Sequence, residues 1–220
     1  MKVLIAKCYT TQQAWGTLMI ESFVNHVRRS QPSAEIDVRG LVDGDSLPEP
    51  SRHYDLIILT GGTDNLIADT HPPGETKLLG LCWGHQCIQV ALGGELGVVP
   101  GGPRVGVEEI VLSRQGQEFF REKPDLMLHK FHKRYVTAPA PGFSALASNN
   151  EIFLSSTGRI LSFQSHPELT EEISQRVIDG SEGVYDTGNS NHDGIVLKGI
   201  DHAHDGQQVW DRILDWSTQA

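Results

Sequence analysis

The run Lys77-Leu78-Leu79-Gly80-Leu81-Cys82-Trp83-Gly84-His85-Gln86 constrains the fold of this chain more than any other stretch. An apolar strand ends in a turn flanked by glycines. The turn leads into an apolar helix over 87–92 that Gly93-Gly94 closes. The same alternation recurs upstream. Residues 3–8 read as a buried strand, and 14–29 as a helix with Leu18, Phe23, Val24 and Val27 at apolar positions. A short strand at 36–38 precedes Tyr54-Asp55-Leu56-Ile57-Ile58-Leu59-Thr60, which runs into Gly61-Gly62 as a central strand ending in a glycine turn. Strands alternating with helices predict a largely parallel sheet. From about Val105 the pattern turns β-rich, with strands predicted at 107–112, 130–136 and 152–155. A further strand over 159–164 ends at Ser165-His166-Pro167-Glu168, and amphipathic helices are predicted at 171–178 and 209–216. The expected fold is α/β: a flavodoxin-like, doubly wound, mostly parallel sheet with an added β-rich segment, in one domain over 1–220.

Charge and composition exclude several roles. A formal charge of -10 disfavours nucleic acid, because binding phosphates requires clustered Lys and Arg. Apolar runs such as Leu56-Ile57-Ile58-Leu59 fall far short of the roughly 20 residues that span a bilayer, so no membrane segment is expected. Residues 3–6 start a strand rather than a leader peptide, which predicts a cytoplasmic protein. Three cysteines, Cys8, Cys82 and Cys87, form neither a disulfide framework nor a zinc-like spacing, so reduced thiols are expected.

Glycines on both sides of Cys82 permit the sharp strand-to-helix turn that exposes a nucleophile, and a following helix N-terminus favours thiolate. The backbone N–H of Trp83 is then available to a developing oxyanion, with Gly62 as the expected second donor. A thiol nucleophile needs a base, and the base an orienting acceptor. His166-Pro167-Glu168 supplies both.

The elbow Gly80, Cys82, Gly84, Gln86, followed at a distance by His166-Pro167-Glu168, resembles the class I glutamine amidotransferase family. The likeness extends over Tyr54 to Gly62, Ala91 to Gly94 and Gly101 to Glu168. It implies a catalytic triad of Cys82, His166 and Glu168 and a role for Gln86 in holding the substrate glutamine. His132, within Leu128 to Val136, matches a family position beside the site. The implied reaction is hydrolysis of glutamine or a γ-glutamyl amide through a γ-glutamyl thioester, with no cofactor and no metal. No ATP-binding loop or acceptor domain is recognisable, so released ammonia would need a separate synthase subunit; otherwise the chain is a stand-alone hydrolase or peptidase. Between Gly62 and Cys82, Asp69 to Glu75 includes Pro72-Pro73 where the family carries a longer crossover helix. That shortening keeps open a non-catalytic binding or regulatory subunit, and because the elbow chemistry does not fix what the pocket accepts, an enzyme repurposed for another carbonyl substrate is a further alternative.

Cys8 and Cys87 read as core thiols and His85 as a packing residue. Alternation on a strand should turn His129 and His132 to opposite faces, with His132 toward the site. His192, Asp193, Asp201, His202, His204 and Asp205 lack metal-site spacing and read as solvated surface. Gly61-Gly62 lacks the residues of a phosphate-binding loop.

Overall fold

The computed structural model describes residues 1–10, 12, 14–49, 51–62, 76–181 and 199–219. Its centre is a seven-stranded sheet in the order β2-β1-β3-β4-β11-β10-β9. The strands are β1 (Lys2–Cys8), β2 (Glu35–Gly40), β3 (Leu56–Gly62), β4 (Lys77–Leu81), β9 (Phe143–Ala145), β10 (Ile152–Ser155) and β11 (Ile160–Phe163). β2, β1, β3, β4 and β11 run parallel, while β10 and β9 add an antiparallel edge.

Alternation along the central strands assigns the two faces. Leu56 and Ile58 of β3, and Leu79 and Leu81 of β4, are fully buried in one cluster with Phe23 and Val27 of α1 (Ala14–Ser30), Ile173 of α4 (Glu171–Asp179), and Trp210 and Ile213 of α5 (Gly206–Ser217). The intervening positions face α2 (Trp83–Ala91): a Cβ added at Gly80 would lie 2.8 Å from the Gly84 carbonyl oxygen. Helices therefore cover both faces, as the doubly wound expectation requires. Among the described residues no helix is long and apolar enough to cross a membrane.

The β-rich insertion forms two ribbons. β6 (Arg104–Val111) pairs antiparallel with β7 (Asp125–His132), and β5 (Glu95–Val98) with β8 (Arg134–Ala138); α3 (Arg114–Phe119) follows β6. The single strand predicted over 130–136 is thus two strands broken at Lys133, because the chain changes partners there. His132 lies opposite Arg104, and Arg134 opposite Val98. The α2 helix also begins at Trp83 rather than Cys87, so no loop separates the elbow from the helix. β3 and β4 are adjacent and parallel, but their connection, including Asp69 to Glu75, lies outside the described residues.

Candidate active site

Cys82 belongs to two elements at once. Its N–H continues the β4–β11 ladder by donating to the Phe163 carbonyl at 2.8 Å, and its own carbonyl accepts the Gln86 N–H of α2 at 3.1 Å. Meeting both demands within one residue forces φ 48°, ψ -100°, a combination that a residue with a Cβ adopts only under strain. The turn closes because Gly84 has no side chain; a Cβ there would collide with the Leu59 carbonyl.

The segment carrying His166 and Glu168 leaves β11, the strand beside β4, and is pinned along its length. Gln164 N–H donates to the Glu151 carbonyl and His166 N–H to the His129 carbonyl, both at 2.8 Å; the Ser22 hydroxyl of α1 donates to the Glu168 carbonyl at 2.6 Å. Thr170 then caps α4 by accepting the Ile173 N–H. His166 Nδ1 lies 2.7 Å from Glu168 Oε1, with both side chains almost fully buried. The imidazole pKa is raised well above its usual value: burial acts against the cation, but the charge of Glu168, the nearby Cys82 sulfur and the hydrogen bond to Glu168 outweigh it. Nε2 makes no well-aligned hydrogen bond among the described residues.

The neighbouring histidines behave oppositely. Burial is the first cause that lowers His85 and His129 to about 3 and His132 to about 4, so all three are neutral beside an imidazolium. His85 stacks on Phe153 and bonds Ser162 through Nδ1, a packing position. His129 and His132 are both buried, since the end of β7 is covered on both faces, and alternation therefore does not separate them. His129 reaches Ser174 and the His204 ring; His132 Nδ1 lies 2.9 Å from the Arg134 carbonyl.

Gln86 donates its amide to the Arg134 carbonyl and to Gln164 Oε1, each at 2.9 Å. Trp83 is the first residue of α2, so its N–H has no acceptor within the helix. Between Ala6 and Cys8 the pairing of β1 with β3 shifts register, and Gly62 falls opposite Cys8. That irregularity brings Gly61 to the site. A Cβ on Gly61 would sit 3.2 Å from His166 Cε1 and 3.7 Å from Cys82 Cβ. Sequence reasoning had named Gly61 only as part of the glycine turn, and had not singled out the Phe131 carbonyl at 3.6 Å from Cys82 Sγ or Gln164, whose Nε2 is 3.8 Å from that sulfur. Gln164 had a signal: it stands two residues before His166, the spacing that puts side chains on one side of an extended segment. The Phe131 carbonyl carried none.

The thiols of Cys8 and Cys87 are both pushed up to about 12, first by burial. Of the C-terminal polar cluster, His192 and Asp193 lie outside the described residues. Asp205 accepts the Met127 N–H and pairs with Lys123, fixing the start of α5. Among the described residues no group of three metal-ligating side chains converges.

Comparison with known proteins adds an independent line. Residues 42–178 match the glutamine amidotransferase class-I family, a span that contains Cys82, His166 and Glu168. Over 99% of its length the chain is 38% identical to the glutamine amidotransferase-like protein chry6 of Gibberella zeae, covering 95% of that protein. It is 32% identical to the glutamine amidotransferase-like protein chyE of Penicillium rubens, over 86% of this chain and 84% of that one. A crystal structure of a glutamine amidotransferase from Thermotoga maritima superimposes with a TM-score of 0.73 at 16% identity, with 100% of this chain and 99% of that one covered. At that identity the likeness is one of fold.

Proposed function

The chain belongs to the class-I glutamine amidotransferase family, and from that premise we propose that it hydrolyses glutamine or a γ-glutamyl amide with Cys82 as nucleophile. The observation that carries this reading is the strained elbow at Cys82 next to the strand that delivers His166, itself held by Glu168 at 2.7 Å. Cys82 Sγ attacks the side-chain carbonyl, and the oxyanion is received by the N–H groups of Gly62 and Trp83. Donors of this kind contribute about 3–4 kcal/mol each. His166 gives its proton to the departing amine as the C–N bond breaks, leaving a γ-glutamyl thioester. It then takes a proton from water, which attacks the thioester, releases glutamate and frees the sulfur as a thiolate beside the imidazolium.

Gln86 and His132 hold the amino-acid end of the substrate in this scheme. The Gln86 amide nitrogen already serves two acceptors, so the group it offers is its carbonyl oxygen. His132 bonds the Arg134 carbonyl through Nδ1, which must therefore carry the proton, and offers Nε2 as an acceptor. Two acceptors suit an α-ammonium group. Released ammonia would pass to a separate synthase subunit, and the cytoplasm is the compartment in which the thiol stays reduced.

The test is to incubate the protein with glutamine, glutathione and γ-glutamyl dipeptides and measure glutamate. Release is expected for at least one donor, abolished by Cys82→Ala and retained by Cys87→Ser. A glutamine-analogue electrophile should add one adduct at Cys82 by intact mass. No turnover and no adduct would refute the hydrolase and favour a binding subunit.

A further inference from the structure

The sulfur of Cys82 lies between two groups of opposite polarity. On one side the Phe131 carbonyl, 3.6 Å away, accepts from a thiol but repels a thiolate. On the other, the side-chain amide of Gln164 points Nε2 at the sulfur from 3.8 Å. The direction of that amide is not free. Gln86 donates to Gln164 Oε1 at 2.9 Å, and Gln86 is itself anchored on the Arg134 carbonyl, also at 2.9 Å. With its oxygen held by a donor, the Gln164 amide can present only its NH2 to the sulfur. The backbone beneath it is equally constrained, because Gln164 N–H bonds the Glu151 carbonyl and the residue is 1% exposed.

We propose that Gln164 is a further catalytic residue, whose amide, oriented by Gln86, donates a hydrogen bond to the Cys82 sulfur and stabilises the attacking thiolate. The hydrogen bond strengthens when the sulfur becomes charged, and so it opposes the repulsion from the Phe131 carbonyl at the moment the nucleophile forms. The thioester sulfur is neutral, so the same bond helps this sulfur leave as a thiolate when water attacks. Gln86 acts through Gln164 and is a positioning residue in this role. The proposal rests on Cys82 being the nucleophile but not on the identity of the acyl donor.

The test therefore uses a reaction without an acyl donor: alkylation of Cys82 by iodoacetamide, followed by peptide mass from pH 6 to 10, with Cys87 read in the same samples. The charged or titratable groups around the sulfur are His166 backed by Glu168, His129 and His132 on β7, and His85 on α2. All are retained in the variants. Gln164→Leu should slow Cys82 alkylation about tenfold at pH 6.5, the worth of one hydrogen bond to a charged group. The gap should narrow as pH rises, because a donor to the charged sulfur acts by favouring its ionisation. Gln164→Glu, which keeps the shape and the bond from Gln86 but replaces the donor with an acceptor, should slow it further at pH 6.5. Gln86→Leu should reproduce the Gln164→Leu pattern more weakly, and it decides the matter if neither Gln164 variant folds. Cys87 rates should not change. Variants that fold yet alkylate Cys82 at wild-type rates at pH 6.5, a slowing equal at every pH, or a wild-type Cys82 no faster than Cys87 would each overturn the proposal. Absent glutamate release with this pH pattern intact would instead remove only the hydrolase reading.

Discussion

The strain at Cys82 makes a prediction that separates backbone from chemistry. Comparing Cys82→Ala with Cys82→Gly removes the sulfur in both variants, so the thiol's interactions cancel and the difference reports the Cβ. At φ 48°, ψ -100° the Cβ of alanine suffers the same backbone conflict as that of cysteine, whereas glycine does not. Residues held in such sparsely populated regions carry about 1–3 kcal/mol of strain. Against this, glycine loses more freedom on folding, about 0.5–1 kcal/mol relative to alanine. Cys82→Gly should therefore exceed Cys82→Ala in stability by about 1 kcal/mol, the difference between the midpoints of those two ranges. For a chain of this size that is a rise of about 2–4 °C in Tm. Urea and thermal denaturation of the two proteins, with equal urea m-values as a check on two-state behaviour, measure it directly. A glycine variant equal to or less stable than the alanine variant would mean that the elbow stores no strain, and the argument that the sheet and the helix impose it would fail.

Other perturbations test the surroundings of the elbow. Gly61→Ala places a methyl 3.2 Å from His166 Cε1, close enough to displace the ring by a few tenths of an ångström; kcat/KM should fall about tenfold while Tm changes little, since small misplacements of reacting groups are costly. Glu168→Gln should lower kcat by about 10²-fold or more, because the imidazolium loses its counter-charge and the tautomer its anchor. It should also change the pH dependence of stability. A histidine whose folded value is raised contributes stability that is complete below the unfolded value of about 6.5 and is lost as pH rises through the folded value. The wild type should thus lose its advantage over Glu168→Gln as pH rises from 6.5, and parallel stability curves would contradict the pairing. Asp205→Ala removes the acceptor of the Met127 N–H and the partner of Lys123; a loss of about 1–3 kcal/mol is expected by urea denaturation, and no loss would mean α5 is held by its apolar face alone.

What could be read along the chain was whatever depends on neighbours in sequence. Apolar runs punctuated by glycine yielded the alternating strands and helices, and the spacing around Cys82 marked a strand-to-helix turn, although the helix was expected from Cys87 and starts at Trp83. His166 and Glu168 stand two residues apart on an extended segment, so their approach is local geometry, and the 2.7 Å separation is its outcome. The break at Lys133 was not readable, because residues 130–136 are uniformly strand-like and only the exchange of β6 for β5 as partner divides them. The choice between His129 and His132 failed for a related reason: alternation ranks faces by exposure, and the end of β7 has no exposed face.

The immediate environment of the sulfur belongs to tertiary structure alone. Phe131 and Gln164 lie 49 and 82 residues from Cys82, and they meet it only because β11 packs beside β4 and the end of β7 folds over both. Gly61 approaches His166 because β1 and β3 shift register. The sequence by itself determined which residues had the chemistry to act and the order of the elements that carry them. Which groups surround the nucleophile was decided by distances across strands, and the loss of the proton from His85, His129 and His132 by burial, because both depend on parts of the chain that local pattern does not connect.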